Sequence, residues 1–314
     1  MSIGVLLVAL FTLVELNCEN LFDTQHDTLR QDTEFLPEGA YHWSPHRYWQ
    51  KLNRVGQTVM ACGGEGDDWQ LPDLVALTEV ENDTVLRDLT RRSLLRKARY
   101  EYVMTDSPDE RGIDVALLYS PFSFAPISHH SIRVPTVRGM KPTRDVLYVA
   151  GRIVGGDTLH VFVVHSPSRS GGERDTRAFR MQTARCVSAA VDSIRVLSPD
   201  ARILVVGDFN AYTGGRSLRH LEKSGLAEIS AEAKGRNGAK ATYKYHGRWA
   251  SLDHILASAI MAERMTECFV MDAPFLLEDD EKYGGVQPRR NYLGPRYLNG
   301  YSDHLPLVVR FALR

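Results

Sequence analysis

Short apolar, β-branched runs recur along the chain, and each is bounded by Gly, Pro, Asp or Ser. Runs of this length and composition predict buried β-strands. The first lies at residues 11–16, while the apolar residues 1–10 fit either an extra strand or the remnant of a secretion signal. The later predicted strands are residues 74–78, 115–119, 146–154, 159–164, 203–206, 252–256 and 307–311.

Apolar residues at helical spacing predict helices between some of these strands. Residues 83–99 and 217–226 suit helices, and two amphipathic faces are formed by Trp49, Leu52, Val55 and Val59 and by Met181, Ala184, Val187, Val191 and Ile194. Elsewhere one strand follows another directly. This order favours an α/β (α+β) fold with mixed or antiparallel sheets and helices on their outer faces over a regular βαβ array.

Two polar stretches without periodicity, residues 24–47 and 272–301, predict long loops, and long ordered loops are often functional. No repeat or linker divides the chain, so we expect one domain over residues 1–314. The second loop interleaves Arg and Tyr, which suits either phosphate binding with stacking on bases or sugars, or a structural loop held by arginine–carboxylate pairs.

Composition narrows the function classes but does not choose among them. The chain has 314 residues, 38 Lys+Arg against 39 Asp+Glu, 43% hydrophobic and 25% charged residues, as in ordinary soluble globular proteins. This balance excludes wholesale disorder, a polytopic membrane protein and a strongly basic coat protein. The four Cys form no metal-binding spacing and are expected to be free thiols. We expect no stable membrane insertion, and a cytoplasmic or an exported location and the oligomeric state stay open.

Polar side chains stand where the predicted strands begin or end. Taken singly, each has a structural alternative as a turn residue, a strand cap, a first-turn helix acid or a buried histidine. Together they predict a site for a divalent metal and phosphate, since carboxylate and amide oxygens suit Mg²⁺, Mn²⁺ or Ca²⁺ and imidazoles suit proton transfer. The set is Asn17, Glu79, His165, Asp208, Asn210, Asp253, Asp303 and His304.

The motifs Val206-Gly-Asp208-Phe-Asn210 and Ser302-Asp303-His304-Leu-Pro, preceded by Leu77-Thr-Glu79, resemble the endonuclease/exonuclease/phosphatase superfamily from about residue 13 to 311. Uncharacterised bacterial members of the Bacteroidetes type share the stretches Tyr283-Gly-Gly and Gly294-Pro-Arg-Tyr. The resemblance implies a four-layered sandwich with two central mixed β-sheets flanked by helices. It also implies Mg²⁺-dependent (or Mn²⁺-dependent) hydrolysis of a phosphodiester, with nucleic acid as the leading substrate.

The resemblance also implies roles for the individual side chains. Asp208 would orient the attacking water, Asp253 would orient His304, and His165 would assist as in the deoxyribonuclease and sphingomyelinase branches. Asp114, at the start of a predicted strand, is either a carboxylate partner for His165 or an ordinary strand-start acid. The histidine counts against a dedicated abasic-site repair enzyme. The catalytic set is thus His165, Asp208, Asn210, Asp253 and His304, the phosphate-binding set Asn17, Arg144, Asn210 and His304, and the metal set Asn17, Glu79 and Asp303.

Two alternatives to a nuclease stay open on the same residues. One is a phosphatase or a phospholipid or inositol phosphodiesterase, and the other is a catalytically silent binding module on the same scaffold. Nucleotide-cofactor enzymes and serine hydrolases are disfavoured, because the sequence has no Gly-Lys-Ser/Thr phosphate loop, no Gly-x-Gly-x-x-Gly after a strand and no Gly-x-Ser-x-Gly elbow.

Overall fold

Strands dominate the computed structural model, which describes residues 10–64 and 69–313. In chain order they are β1 (Leu10–Leu21), β2 (Leu74–Val80), β3 (Glu101–Met104), β4 (Asp114–Tyr119), β5 (Phe124–Ile132), β6 (Val146–Ile153), β7 (Thr158–His165), β8 (Arg202–Asp208), β9 (Leu226–Glu228), β10 (Tyr243–Tyr245), β11 (Arg248–Ala250), β12 (Asp253–Ser258), β13 (Met265–Val270), β14 (Leu277–Asp279), β15 (Val286–Pro288), β16 (Tyr292–Leu293), β17 (Arg296–Tyr297) and β18 (Leu307–Ala312).

Two of the sheets have six strands each. The first has the order β13-β18-β1-β2-β4-β3, and the second has the order β5-β6-β7-β8-β12-β9. In each sheet one central pair is parallel, β1 with β2 and β7 with β8, and its other pairs are antiparallel. Both sheets are therefore mixed, as the sequence predicts. The remaining short strands form two-stranded hairpins, β10–β11, β14–β15 and β16–β17.

Helices cover the outer face of each sheet. The described residues form α1 (Pro45–Ala61), α2 (Asp83–Arg91), α3 (Arg177–Leu197), α4 (Arg216–Lys223) and a single turn, α5 (Ala259–Ala262). Helix α1 begins with Ser44, whose side chain accepts a hydrogen bond from the backbone N–H of Arg47, and with Pro45 in its first turn. Among the described residues no helix has both the length and the apolar character needed to cross a membrane.

Three apolar clusters separate four layers. The central cluster joins the facing sides of the two sheets, with Leu13 and Leu74 from the first meeting Val161 and Val206 from the second. The outer clusters pack α1 and α2 on the first sheet and α3 and α4 on the second. The predicted four-layered sandwich is confirmed. The buried strands have apolar residues on both faces because both faces are covered.

The predicted strands and helices are found close to their expected positions. Strand β1 includes residues 11–16 and continues to Leu21, while residues 1–9, considered as a strand or a signal remnant, lie outside the described residues. Other segments differ. Strands β3, β5, β9, β10, β11 and β13 were not predicted, the helix predicted over residues 83–99 ends at Arg91, and residues 272–301 contain the hairpins β14–β15 and β16–β17 instead of a plain loop. The four cysteines are free thiols.

Candidate active site

The parallel strand pairs bring their polar ends together at one edge of the sandwich. In the second sheet His165 at the end of β7 pairs in register with Asp208 at the end of β8, and Asp208 pairs with Asp253 at the start of β12. From the first sheet, Asn17 on β1 reaches across, and its side-chain Nδ2 donates to Asp208 Oδ2 at 3.1 Å. The side chains of His165, Asp208 and Asp253 thus form a row on the second sheet, and Asn17 meets this row across the gap between the sheets.

The backbone at this edge adopts conformations that L-residues rarely hold. Glu79 has φ of +60° and Asn210 has φ of +47°, in the left-handed region. Gly207 has φ of +141°, and a Cβ there would lie 1.9 Å from the carbonyl oxygen of Val164 on the neighbouring strand. Such strain concentrates at functional sites, where surrounding contacts hold a side chain in a required direction.

Asp208 is the central carboxylate of the site. Besides the bond from Asn17, its Oδ1 accepts the backbone N–H of Asn210 at 2.7 Å. Burial and the nearby charge of Asp253 raise the pKa of Asp208 to about 7, although His304 acts in the opposite direction. A carboxylate held in this way changes its protonation state near neutral pH, which suits a group that accepts a proton.

His304 and Asp253 form a buried pair beside Asp208. His304 Nδ1 lies 2.7 Å from Asp253 Oδ2, and the ring of Tyr243 lies 4.9 Å from the imidazole ring. Burial opposes a charge on His304, but Asp253, Asp303 and Asp208 outweigh it and raise the pKa of His304 well above its ordinary value. His304 is therefore an imidazolium at neutral pH, with Nε2–H available to donate to an oxyanion.

His165 lies in the same row but in the opposite electrostatic environment. Its Nε2 is 3.8 Å from both Glu79 Oε1 and Asp208 Oδ2, beyond hydrogen-bond distance. Burial, Arg144, Arg111 and His304 together lower the pKa of His165 well below its ordinary value. His165 is therefore a neutral imidazole at neutral pH.

The predicted partnership between His165 and Asp114 is wrong. Asp114 Oδ1 accepts hydrogen bonds from Ser107 Oγ, Ser107 N and Thr105 Oγ1, all within the loop and strand ends of its own sheet. His165 Nδ1 has no hydrogen-bond partner among the described residues. Asp114 therefore fixes the turn between β3 and β4, because hydroxyl and amide donors lie closer to it than the imidazole.

Arg144 lies beside His165, buried to 7% exposure. Its Nη1 donates to Asp109 Oδ2 at 3.1 Å, and its Nη2 donates to the carbonyl oxygen of Ser166 at 2.8 Å. Asn210 Nδ2 donates to the same carbonyl at 3.1 Å. The Nε of Arg144 is buried and has no partner among the described residues.

Asp303 and Glu79 border the site from the first sheet's side. Asp303 Oδ2 accepts from Arg290 Nη2 at 3.0 Å, and Glu79 Oε2 accepts the backbone N–H of Asn20 at 2.8 Å. The Oδ1 of Asn17 accepts the backbone N–H of Glu19 at 2.9 Å. The three residues predicted as the metal set thus surround the row, and each makes hydrogen bonds within the protein.

Several buried groups at this edge were missed by the sequence analysis. Glu19 accepts the backbone N–H groups of Asn291 and Tyr292, at 2.6 and 2.9 Å, and burial and Asp303 raise its pKa to about 7. Lys51 on α1 is buried and donates to a backbone carbonyl near Asp303. Glu15 is fully buried, and its carboxyl has no partner among the described residues. Of these residues, only Glu19 could have been suspected from the sequence, because it lies two positions after the predicted site residue Asn17.

The donor set fits a hard divalent cation. One atom from each of Asp208, Asp253 and His304 lies within 4.8 Å of the other two. This group differs from the predicted metal set of Asn17, Glu79 and Asp303, and within it only the carboxylates suit a cation, because a protonated imidazole has no free lone pair. Asp253 Oδ1 is buried without a partner among the described residues, an unpaired oxygen in a region of several carboxylates. Oxygen-rich sites of this kind suit Mg²⁺ or Mn²⁺.

Comparisons with known proteins agree with this geometry. The sequence profile of the Endonuclease/Exonuclease/phosphatase family matches residues 12–313. An endonuclease/exonuclease/phosphatase family protein of Bacteroides thetaiotaomicron is 15% identical, with a TM-score of 0.64 over 96% of this chain and 94% of that one. A mannosyl-6-phosphatase of the same species is 16% identical, with a TM-score of 0.61 over 95% of this chain and 98% of that one.

The catalytic domain of human Nocturnin is 18% identical, with a TM-score of 0.58 over 97% of this chain and 95% of that one. At these identities the likeness establishes the fold alone. No curated protein sequence matches the chain.

Proposed function

The chain belongs to the endonuclease/exonuclease/phosphatase family, whose members hydrolyse phosphoester bonds, and we propose that it is a divalent-metal-dependent phosphodiesterase with nucleic acid as its leading substrate. The observation that carries the proposal is the arrangement around Asp208. This carboxylate is hydrogen-bonded to Asn17 and lies beside the Asp253–His304 pair, within reach of His165. A proton acceptor and a cationic donor thus lie in one buried row, as hydrolysis by water requires.

When bound, a divalent cation supplies a Lewis acid that offsets negative charge on the phosphate, and Glu79 with Asp303 would hold it. Asp208 holds the attacking water and accepts its proton, while Asn17 fixes the direction of Asp208. His304 donates its Nε2–H to a non-bridging phosphate oxygen, and Asp253 keeps it charged and oriented. The charge on His304 therefore stabilises the oxygens whose negative charge grows in the transition state.

Residues on the other side of the row hold the ester. Arg144 and Asn210 lie against the same carbonyl of Ser166 and present donors toward the phosphate. His165, neutral at working pH, carries one ring N–H and stabilises the leaving oxygen by hydrogen bonding. A neutral imidazole costs less to desolvate than a charged one, which suits its buried position.

The test is hydrolysis of bis-p-nitrophenyl phosphate by the full chain with Mg²⁺, Mn²⁺ or EDTA. We expect activity with either metal and its loss in EDTA, and we expect Asp208→Asn to lose at least about 10²-fold in kcat. Asp200→Asn, at an exposed turn residue, is the matched control and should retain full activity. Activity that EDTA does not affect, or that Asp208→Asn retains, would exclude the proposal. The absence of any metal-dependent hydrolysis would exclude it too and would favour a catalytically silent module.

Plasmid DNA, single-stranded DNA, RNA, sphingomyelin and an inositol phosphate then separate the substrate classes. We expect cleavage of at least one nucleic acid at a rate above that of the lipid and the inositol phosphate. The reverse order would retain the chemistry and reject the nuclease assignment.

A further inference from the structure

A cavity of about 660 Å³ opens beside the reaction centre, between the β10–β11 hairpin and the loop of residues 277–298. Asp303 and Arg290, which are hydrogen-bonded to each other, line it, so the cavity adjoins the residue that precedes His304. Its volume is in the range of pockets that enclose small organic ligands. A phosphate held at His304 would therefore direct one of its ester substituents into this cavity.

Aromatic rings run in a row from His304 to Tyr283, and the last three of them, Tyr245, His246 and Tyr283, line the cavity. Tyr243 follows His304, and Tyr245 follows Tyr243 with centroids 6.4 Å apart and planes within 12°. Tyr245 stacks on His246 at 4.0 Å with planes again within 12°, and the ring of Tyr283 follows at 6.1 Å. Tyr245 is 60% exposed and Tyr283 46%, so large ring surfaces remain accessible to a ligand.

The row is held in place by the backbone and by a buried ion pair. Lys244 Nζ lies 2.7 Å from Asp280 Oδ2 with both side chains 4% exposed, and it also donates to the carbonyl oxygens of Gly284 and Val286. Gly247 has φ of +76°, and a Cβ there would lie 2.7 Å from the Cβ of Tyr283. The hairpin and the loop are thus fastened together, and stacking on the exposed rings needs little further ordering.

The charge of the lining argues for a neutral ligand. Five carboxylates stand against four lysines and arginines, and Lys244 and Arg290 are paired with Asp280 and Asp303. A groove that follows a phosphate backbone needs surplus cations. Planar uncharged rings instead gain from stacking on Tyr and from carboxylates that accept hydrogen bonds from their amino groups.

We propose that this cavity is the subsite for a nucleobase attached to the phosphate at His304, which makes the enzyme selective for nucleotide esters. The proposal rests on the proposed function and names the group recognised beside the reacting bond. Tyr245 and Tyr283 supply the exposed stacking surfaces, and Lys244 positions the hairpin that carries Tyr245.

The test is direct binding, measured by calorimetry on the full-length chain with EDTA present, so that no hydrolysis enters the readout. The ligands are adenosine 5′-monophosphate, ribose 5-phosphate and inorganic phosphate. We expect the nucleotide to bind about 10-fold or more tightly than ribose 5-phosphate, because each base stacked on an aromatic side chain contributes measurably. Tyr245→Leu and Tyr283→Leu should each reduce this preference about 5-fold or more.

Phe122→Leu is the matched control, since it removes another exposed ring, 73% exposed, at the far end of β4. It should leave the nucleotide preference unchanged. Equal affinities for the nucleotide and for ribose 5-phosphate would overturn the proposal in favour of a sugar subsite. An undiminished preference in both tyrosine variants would overturn it too. Metal-dependent hydrolysis of bis-p-nitrophenyl phosphate by the same wild-type sample shows separately whether the proposed function holds.

Discussion

The two histidines of the site occupy the same row but opposite electrostatic environments. His304 faces Asp253, Asp303 and Asp208, which raise its pKa, whereas His165 faces Arg144 and Arg111, which lower its pKa. Burial acts against the charged form of both. Burial is common to both rings, and His165 also lies 3.8 Å from Glu79 and Asp208. The difference teaches that a hydrogen-bonded carboxylate, which His304 has in Asp253 and His165 lacks among the described residues, decides which histidine is the cation.

The same contrast extends to the space on each side of the row. Beyond His304 lies the aromatic cavity with its balanced ion pairs. Beyond His165 lies a second cavity of about 510 Å³, bordered by Arg111, Lys141 and Arg144 and by Asp109 and Glu110, which pair with Arg144 and Lys141. A phosphate between the histidines thus has an aromatic side and a side on which three cations stand against two carboxylates. This asymmetry gives the bound ester a direction.

The largest effect is expected from removing the cationic histidine. His304→Gln should reduce kcat on bis-p-nitrophenyl phosphate by about 10²- to 10⁴-fold, because both the charge and the donated proton are lost. The measurement is steady-state kinetics with saturating Mg²⁺. His129→Gln on the exposed strand β5 is the control and should be unaffected. A loss below tenfold in His304→Gln would show that this imidazolium does not act on the reacting phosphate.

A smaller and pH-dependent effect is expected from Asp253→Asn. This change removes the carboxylate that most strongly raises the pKa of His304, so the imidazolium would lose its proton at a lower pH. At pH 6 we expect activity at or above that of wild type, because His304 is still protonated and the loss of Asp253 also lowers the pKa of Asp208. At pH 8.5 we expect a loss of about 10²-fold, since only the protonated form of His304 is active. The pH profile of kcat is the measurement. An equal loss at both pH values would mean that Asp253 acts without changing the charge of His304.

Arg144→Met tests the cationic side of the row. Arg144 lines the adjacent cavity together with Arg111 and Lys141, which favours ground-state binding of phosphate, so KM should rise about tenfold while kcat changes little. Initial rates at several substrate concentrations separate the two constants. If kcat falls and KM is unchanged, Arg144 acts only in the transition state, and the division between a binding side and a catalytic side fails.

The smallest effect concerns His160, a histidine on β7 that has no catalytic role in this account. Burial lowers its pKa, and its Nδ1 lies 2.8 Å from the hydroxyl oxygen of Tyr148. Below pH 6.5 the unfolded chain binds the proton more readily than the folded one, so the free energy of unfolding falls as pH falls through this range. His160→Gln should reduce that fall, as measured by urea denaturation at pH 7.5 and 5.5. An unchanged pH dependence would contradict the assignment.

Much of the fold follows from local patterns in the sequence. The buried strands have continuous apolar runs ending at Gly, Asp or Pro, and such runs are readable because both faces of each sheet are covered. The edge strand β5 was missed because its exposed residues, including His129 and His130, form no apolar run. The short hairpins within residues 272–301 are stabilised by distant contacts, such as Lys244 with Asp280, and these have no local signature.

The candidate site was also predicted only in part from the sequence. Asn17 and Asp208 were expected to meet because both were predicted to follow strands, and the structure joins them by a hydrogen bond, although β1 continues past Asn17 to Leu21. The predicted pairing of Asp114 with His165 was wrong, because a position at the start of a strand does not show which side chains surround the residue in the fold. Glu19 binds backbone groups 272 and 273 positions away, a contact that depends on the path of the whole chain.

The most direct test of the different protonation states of the two histidines is nitrogen NMR of ¹⁵N-labelled histidine side chains in the metal-free protein at pH 7.5. His304→Gln and His165→Gln assign the two rings. We predict imidazolium shifts for His304 and the shifts of a neutral tautomer for His165 in the same sample. A neutral His304 or a charged His165 would contradict the account of how this site divides its chemistry.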